Sequence, residues 1–178
     1  MFKLKSTKIG ILGGSFDPAH KGHLTISKIA LKKIKLKKIY WIVTKKNPFK
    51  NKTFFSLKDR IEKAKKISSK IKNIEVLYID DVIKSSKSIK VIQYILKKKK
   101  PKDLYFIVGS DILLKFHRWH SWKRIVKLTK LIVFSRKGYD RKSKKTIVVK
   151  YLNKNNITFI NNKPVEISSS FLRKRVKI

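Results

Sequence analysis

Short apolar runs alternate with longer amphipathic stretches along most of the chain. Residues 8–13 (KIGILG) make a β-type run that ends in glycine, and residues 21–35 (KGHLTISKIALKKIK) space Leu24, Ile26, Ile29, Ala30 and Ile34 roughly as a helix would. The pattern predicts strand, glycine turn, helix. Residues 37–43 (KKIYWIV) predict a second strand, and residues 56–71 an amphipathic helix with Ser56 as N-cap and Asp59 at the third helical position. Further strands are expected at 74–79, 104–108, 130–135 and 157–160. Helices are expected at 87–98, in a short stretch after 109–111, near 143–154, and from about Ser169 onward. The cationic run at 97–102 falls at a helix end, where it suits the helix dipole.

Strands and helices in alternation imply an α/β fold: a Rossmann-like open, mostly parallel sheet with helices on both faces, in one domain over residues 1–178. In such a sheet ligands gather outside the carboxyl ends of the strands. Three loops therefore matter before any chemistry is named: residues 13–23 after the first strand, 109–111 after the fourth, and 135–138 after the fifth.

Composition narrows the chemistry. The 178 residues contain no cysteine, which removes disulfides, thiolate metal sites and thiol nucleophiles. The first residues lack the continuous apolar core of a signal peptide, and no stretch approaches the ~20 apolar residues of a membrane span, so a cytoplasmic protein is expected. The 48 Lys and Arg against 10 Asp and Glu give a net charge of +38. Such a field attracts any polyanion, and for nucleic acid it implies non-specific contact only. Seven of the cations are arginine and 41 are lysine. Lysine is the poorer residue for bidentate recognition, and the excess is read mainly as a genome-wide bias toward Lys, Ile and Asn.

The first loop is the most specific feature. In GGSFDPAHKGH, Gly13 and Gly14 permit close backbone approach, and the following helix offers free N–H groups to an anion. His20 and His23, three apart around Gly22, could face a phosphate bound there. Neither a P-loop nor a G-x-G-x-x-G fingerprint is present. A second element, ISSSFLRKRV (167–176), places Ser168, Ser169 and Ser170 at a helix start with Arg173 one turn on, so amides, hydroxyls and a guanidinium could converge on phosphate oxygens. Taken alone, the first could be a turn with surface histidines and the second a serine-capped terminal helix. Together and in this order they resemble the H-x-G-H and I-S-S-x-x-x-R motifs of the nucleotidylyltransferase superfamily.

Three interior stretches, NPFK (47–50), GSDILLKFHRWHSWKRI (109–125) and SRKGY (135–139), resemble the bacterial nicotinate-nucleotide adenylyltransferases. That resemblance implies transfer of AMP from ATP to nicotinate mononucleotide, giving deamido-NAD and pyrophosphate, with Mg2+ accompanying ATP. It implies His20, His23 and Arg173 as catalytic. Gly13, Gly14, Ser15, Phe16, Gly22, Gly109, Asp111, Ile167, Ser168, Ser169 and Ser170 would bind ATP, and Lys50, Ser88, Trp119 and Arg136 the mononucleotide, with Trp119 near the pyridine ring. No residue is assigned as a metal ligand. His117 and His120 read as loop histidines, and Asp80 with Asp81 as a solvated strand end. The chain departs from the family at Phe49, which replaces a histidine before the lysine, and at SKSIKVI (86–92), which keeps a hydroxyl at Ser88 but carries Lys90 and Val91 where an acid and a threonine are usual. Another acceptor, phosphopantetheine or nicotinamide mononucleotide, and a basic nucleic-acid-binding module stay open as alternatives, as does an oligomer.

Overall fold

A computed structural model describes residues 7–45, 52–162 and 168–176. Lys50 and Ile167, and with them the Phe49 departure, lie outside the described residues. Six strands, β1 (Lys8–Gly14), β2 (Lys38–Val43), β3 (Ile74–Leu77), β4 (Asp103–Gly109), β5 (Lys130–Phe134) and β6 (Ile157–Ile160), pair in the order β3-β2-β1-β4-β5-β6. Every pairing is parallel. The order reverses between β1 and β4, so the crevice expected to take a ligand opens at the carboxyl ends of those two neighbours.

The central strands are apolar on both faces, as a sheet covered on both sides demands. Ile9, Ile11, Tyr40, Ile42, Leu104, Phe106 and Val108 point to one face. There they meet helices α3 (Ser88–Lys99), α4 (Ser110–Lys115), α5 (Trp122–Leu128) and, after α6 (Asp140–Ser143), α7 (Ile147–Tyr151). Leu12, Ile39, Trp41, Val43, Tyr105 and Ile107 point to the other, against α1 (Lys21–Ile34) and α2 (Leu57–Ser68). Trp41, completely buried, donates from Nε1 to Ser27 Oγ at 2.8 Å and so locks α1 onto β2. The last helix, α8 (Ser169–Val176), returns to the carboxyl edge of the sheet.

Local chemistry explains most boundaries. Ser56 caps α2 by accepting from the Asp59 amide at 3.1 Å while its hydroxyl donates to the Asp59 carboxylate at 2.7 Å. The single helix expected near 143–154 is instead α6, α7 and a 3-10 turn at Lys154–Asn156. Ser143 donates to the Asp140 carbonyl, and Thr146 restarts the helix by capping Val149. Hydroxyls that bond local backbone in this way compete with a continuous helix.

Gly10, in the middle of β1, has no room for a side chain: a Cβ there would stand 2.9 Å from Leu36 Cδ1, 3.1 Å from Ile39 Cγ1 and 3.3 Å from Ile107 Cδ1. Gly10→Val is expected to lower unfolding free energy by about 1–3 kcal/mol through overpacking. A shift of the urea midpoint at constant slope is the measurement that checks it.

Candidate active site

Between β1 and α1 the chain runs through residues 15–20, and the side chains of Ser15, Phe16, Asp17, Ala19 and His20 are all buried. Phe16 adopts a left-handed backbone with φ +47°, unusual for a residue with a bulky side chain. Its ring is held between two others, 5.2 Å from Trp41 in a stacked arrangement and 4.8 Å from His23. The conformation is also gripped from outside. Arg60 of α2, 1% exposed, donates through Nη1 to the Ser15 carbonyl at 2.7 Å and to the Thr44 carbonyl at 2.8 Å. Burial lowers the Arg60 pKa, against the opposing pull of Asp17, Tyr78 and Asp80.

The two histidines form a reciprocal cap on α1. The Gly22 amide donates to His20 Nδ1 at 3.1 Å, and the His20 amide donates to His23 Nδ1 at 3.2 Å. This is the geometry of a capping box, with imidazoles in the places usually held by a serine and a glutamate. It also fixes the chemistry of both rings. With each Nδ1 used as an acceptor, the proton of the neutral imidazole resides on Nε2, which is then the donor. The ring centroids are 4.0 Å apart with 44° between the planes. Burial, with the Arg136 guanidinium adding to it, lowers the His20 pKa from 6.5 to about 4. His20 is therefore a neutral donor throughout the physiological range.

The C-terminal helix docks onto the same loop. Ser168 accepts from the Phe171 amide and caps α8. Ser169 donates to the Pro18 carbonyl at 3.0 Å, and Arg173 donates from Nη1 to the Asp17 carbonyl at 2.7 Å and from Nη2 to Ser170 Oγ at 3.0 Å. The three serines thus differ in use, the first capping the helix, the second docking it and the third orienting the arginine.

Across the switch point, Gly109 ends β4 and caps α4. A Cβ at that position would collide with Asp111 Oδ1 and lie 3.3 Å from Arg136 Cγ. Glycine here lets Asp111 and Arg136 pack together, with Arg136 Nε 3.9 Å from Asp111 Oδ1. The Arg136 amide donates to Ser110 Oγ and to Asp140 Oδ1. Asp111 Oδ1 is buried and makes no hydrogen bond. The influence of Arg136 on the His20 pKa puts the loops after β1 and β5 in one electrostatic site.

The structure accordingly brings together His20, His23, Arg136 and Arg173 with the β1 and β4 turns and the start of α8. Ser88 opens α3 and is half-buried. Trp119 is half-buried against the core, stacked on Phe116 at 5.0 Å and edge-on to Phe106 at 5.9 Å. His117 and His120 are exposed. Asp80 is not solvated: it is 5% exposed, and its Oδ2 accepts from Thr44 Oγ1 and from the Lys45 amide, each at 2.8 Å. Two residues of the site escape a reading by sequence. Asp17, 2% exposed, accepts from the amides of Phe54 and Phe55, each at 2.8 Å. Arg60 looks like one more cation on a basic helix. Its signal is that it is an arginine in a helix whose other cations are all lysine.

Known proteins share both the sequence pattern and the fold. The cytidylyltransferase-like family model matches residues 11–175. A Pelagibacter ubique (strain HTCC1062) protein described as a probable nicotinate-nucleotide adenylyltransferase is 53% identical over 170 residues, covering 96% of this chain and 94% of its own. A protein of the same description from Endomicrobium trichonymphae is 33% identical over 171 residues, covering 96% and 86% respectively. Among solved structures, the Plasmodium falciparum nicotinic acid mononucleotide adenylyltransferase complexed with NaAD superimposes with a TM-score of 0.72 at 21% identity, over 94% of this chain and 83% of that one. This last likeness is one of fold. Matched along nearly its whole length, the chain belongs to the cytidylyltransferase-like family and, within it, to the family of the nicotinate-nucleotide adenylyltransferases.

Proposed function

We infer that the protein is a nicotinate-nucleotide adenylyltransferase, which joins the AMP part of ATP to nicotinate mononucleotide and releases pyrophosphate. The observation that carries the chemistry is the reciprocal histidine cap, which leaves two neighbouring imidazoles as Nε2 donors at the end of β1. A phosphate oxygen of the mononucleotide attacks the α-phosphorus of ATP, and the bond from that phosphorus to the bridging oxygen of the β-phosphate breaks. The nucleophile is already anionic near neutral pH, so no strong base is needed, and catalysis rests on alignment and charge stabilisation.

In this reading His20 and His23 donate to oxygens of the α-phosphate as charge builds on them. Gly13 leaves room for that phosphate, since a Cβ there meets nothing within 4 Å and the space above the turn is open to a ligand. Gly14, Ser15, Phe16 and Gly22 shape the loop beneath. Arg173 and the start of α8, Ser168, Ser169 and Ser170, take the β- and γ-phosphates, with Ile167 just before them in sequence. Gly109 and Asp111 serve the adenosine, with Asp111 Oδ1, which makes no hydrogen bond, as an acceptor. Lys50, Ser88, Trp119 and Arg136 serve the mononucleotide, and the place of Arg136 beside His20 supports a role close to its phosphate.

Among the described residues no three His, Asp or Glu side chains converge as metal ligands. In this reading Mg2+ enters as part of Mg·ATP, carried by the phosphates. Among the described residues no helix is long and apolar enough to cross a membrane. The enzyme is proposed to act in the cytoplasm, as a single catalytic domain.

Purified protein with Mg·ATP is expected to release pyrophosphate with nicotinate mononucleotide in strong preference to nicotinamide mononucleotide or phosphopantetheine. Preference for another acceptor would move the substrate, and release with none would remove the activity. His23→Ala should cut turnover by about 10²-fold or more, the scale of one lost transition-state donor. It should also cost about 1 kcal/mol of stability through the lost cap, so turnover and thermal midpoint are read together. The pH dependence follows from His20. Between pH 6.5 and 4 the unfolded chain takes up a proton at this side chain that the folded chain refuses. Stability is therefore full above pH 6.5 and falls progressively on acidification toward pH 4. In His20→Asn, which keeps an acceptor for the cap, that part of the loss should vanish from urea titrations across this window.

A further inference from the structure

Asp17 has no place in the chemistry just described, yet its carboxylate is among the most deeply buried charges of the molecule. Both oxygens are in use as acceptors, Oδ2 from the Phe54 amide and Oδ1 from the Phe55 amide, each at 2.8 Å. Arg173 lies 3.6 Å from Oδ2 and donates to the backbone carbonyl of the same residue at 2.7 Å. One side chain thus joins three segments that are far apart in sequence: the phosphate loop, the approach to α2, and α8.

The segment Asp17 holds is itself a junction. Five residues after Phe55, Arg60 binds the Thr44 carbonyl at the carboxyl end of β2, and Thr44 in turn donates to Asp80 at the end of β3. From Asp80 the chain is tied onward to the start of α3: the Ser85 amide donates to the Asp80 carbonyl at 2.9 Å and the Lys87 amide to Ser85 Oγ at 3.2 Å, and α3 then begins with Ser88, one of the residues assigned to the mononucleotide. Arg173 is one of those assigned to the ATP phosphates. When Arg173 engages phosphate it divides its charge between that anion and Asp17, and any change in its position is felt by the two amides that the carboxylate holds. Conversely, an occupied mononucleotide side that stiffens the approach to α2 fixes Asp17, and with it Arg173.

We propose that Asp17 is a positioning residue that couples the two substrate sites, so that ATP and the mononucleotide each tighten the binding of the other. The inference rests on the substrate assignment made above. Such coupling is reciprocal by thermodynamic necessity, and effects of this kind are commonly about 5- to 150-fold in affinity.

Calorimetric titration of the full-length protein tests it. The ligands are nicotinate mononucleotide and the α,β-methylene analogue of ATP, which cannot transfer its adenylyl group. In the unaltered protein, saturation with the analogue is expected to tighten mononucleotide binding by about fivefold or more. In Asp17→Asn, which cannot accept from both amides and carries no charge for Arg173, the ratio should fall below about twofold. A purely structural role would lower the thermal midpoint and leave the ratio alone. An unchanged ratio in Asp17→Asn, or a ratio near one in the unaltered protein, overturns the proposal. Should Asp17→Asn fail to fold, hydrogen exchange on the unaltered protein decides: the Phe54 and Phe55 amides are expected to exchange several-fold more slowly with the ATP analogue alone, and unchanged rates overturn the coupling. Binding of both ligands without coupling removes this inference only, whereas binding of neither removes the substrate assignment and this inference with it.

Discussion

The carboxyl edge of the sheet depends on a buried loop whose backbone belongs to no strand or helix. Buried carbonyls need donors, and those of Gly14, which ends β1, and of Ser15, Asp17, Pro18 and His20 in the loop find them in four other elements. Gly14 accepts from the Thr44 amide just past β2, Ser15 from Arg60 of α2, Asp17 from Arg173 of α8, Pro18 from Ser169, and His20 from the His23 amide in α1. The left-handed Phe16 persists because its neighbours on both sides are held this way. The orientation of the imidazoles is thus a product of tertiary structure as much as of the loop's own sequence, and the proposed phosphate site would be preorganised before any ligand arrives.

The constraint also divides labour among the cations. Lysine supplies most of the +38, but the lysine ion pairs, Lys38 with Glu75 and Lys130 with Asp103, lie near the surface. There such pairs contribute about 0–1 kcal/mol each. The internal bonds to the loop are made by Arg60 and Arg173. A guanidinium is planar, weakly hydrated and able to serve two carbonyls from one fork, whereas an ammonium is a strongly hydrated point charge. The lysine coat is left with long-range attraction, which draws nucleotides in and fades as salt shortens the Debye length.

The alternation of apolar runs and amphipathic stretches made the fold legible, because each face of each central strand must be covered and the chain encodes that as short continuous apolar runs. The two motifs read as phosphate-binding stand out for a similar reason: glycine, histidine and serine at helix starts have few other uses in such density. What stayed hidden depends on contacts across the chain. Asp17 meets residues 54, 55 and 173, and nothing near it in sequence announces any of them. Asp80 resembles a solvated strand end until Thr44 and Lys45 are brought to it. The break after Ser143 turns on hydroxyl bonds that compete with the helix they interrupt, and apolar spacing does not register that competition.

The choice of imidazole follows from the same burial. A lysine at position 20 would have to lose its charge or its water to occupy a site that is 5% exposed and near Arg136, and the surrounding positive field would oppose it. Histidine avoids this conflict, since its neutral form keeps one nitrogen for the helix cap and one N–H for a ligand. The lowered pKa of His20 then works in favour of the site. The ring stays uncharged when empty, adds nothing to the repulsion around Arg136 and Arg173, and in the proposed mechanism still offers a hydrogen bond where a phosphate oxygen gains charge. A protein so rich in cations thus holds neutral donors at the site proposed for the reaction and charged ones around them.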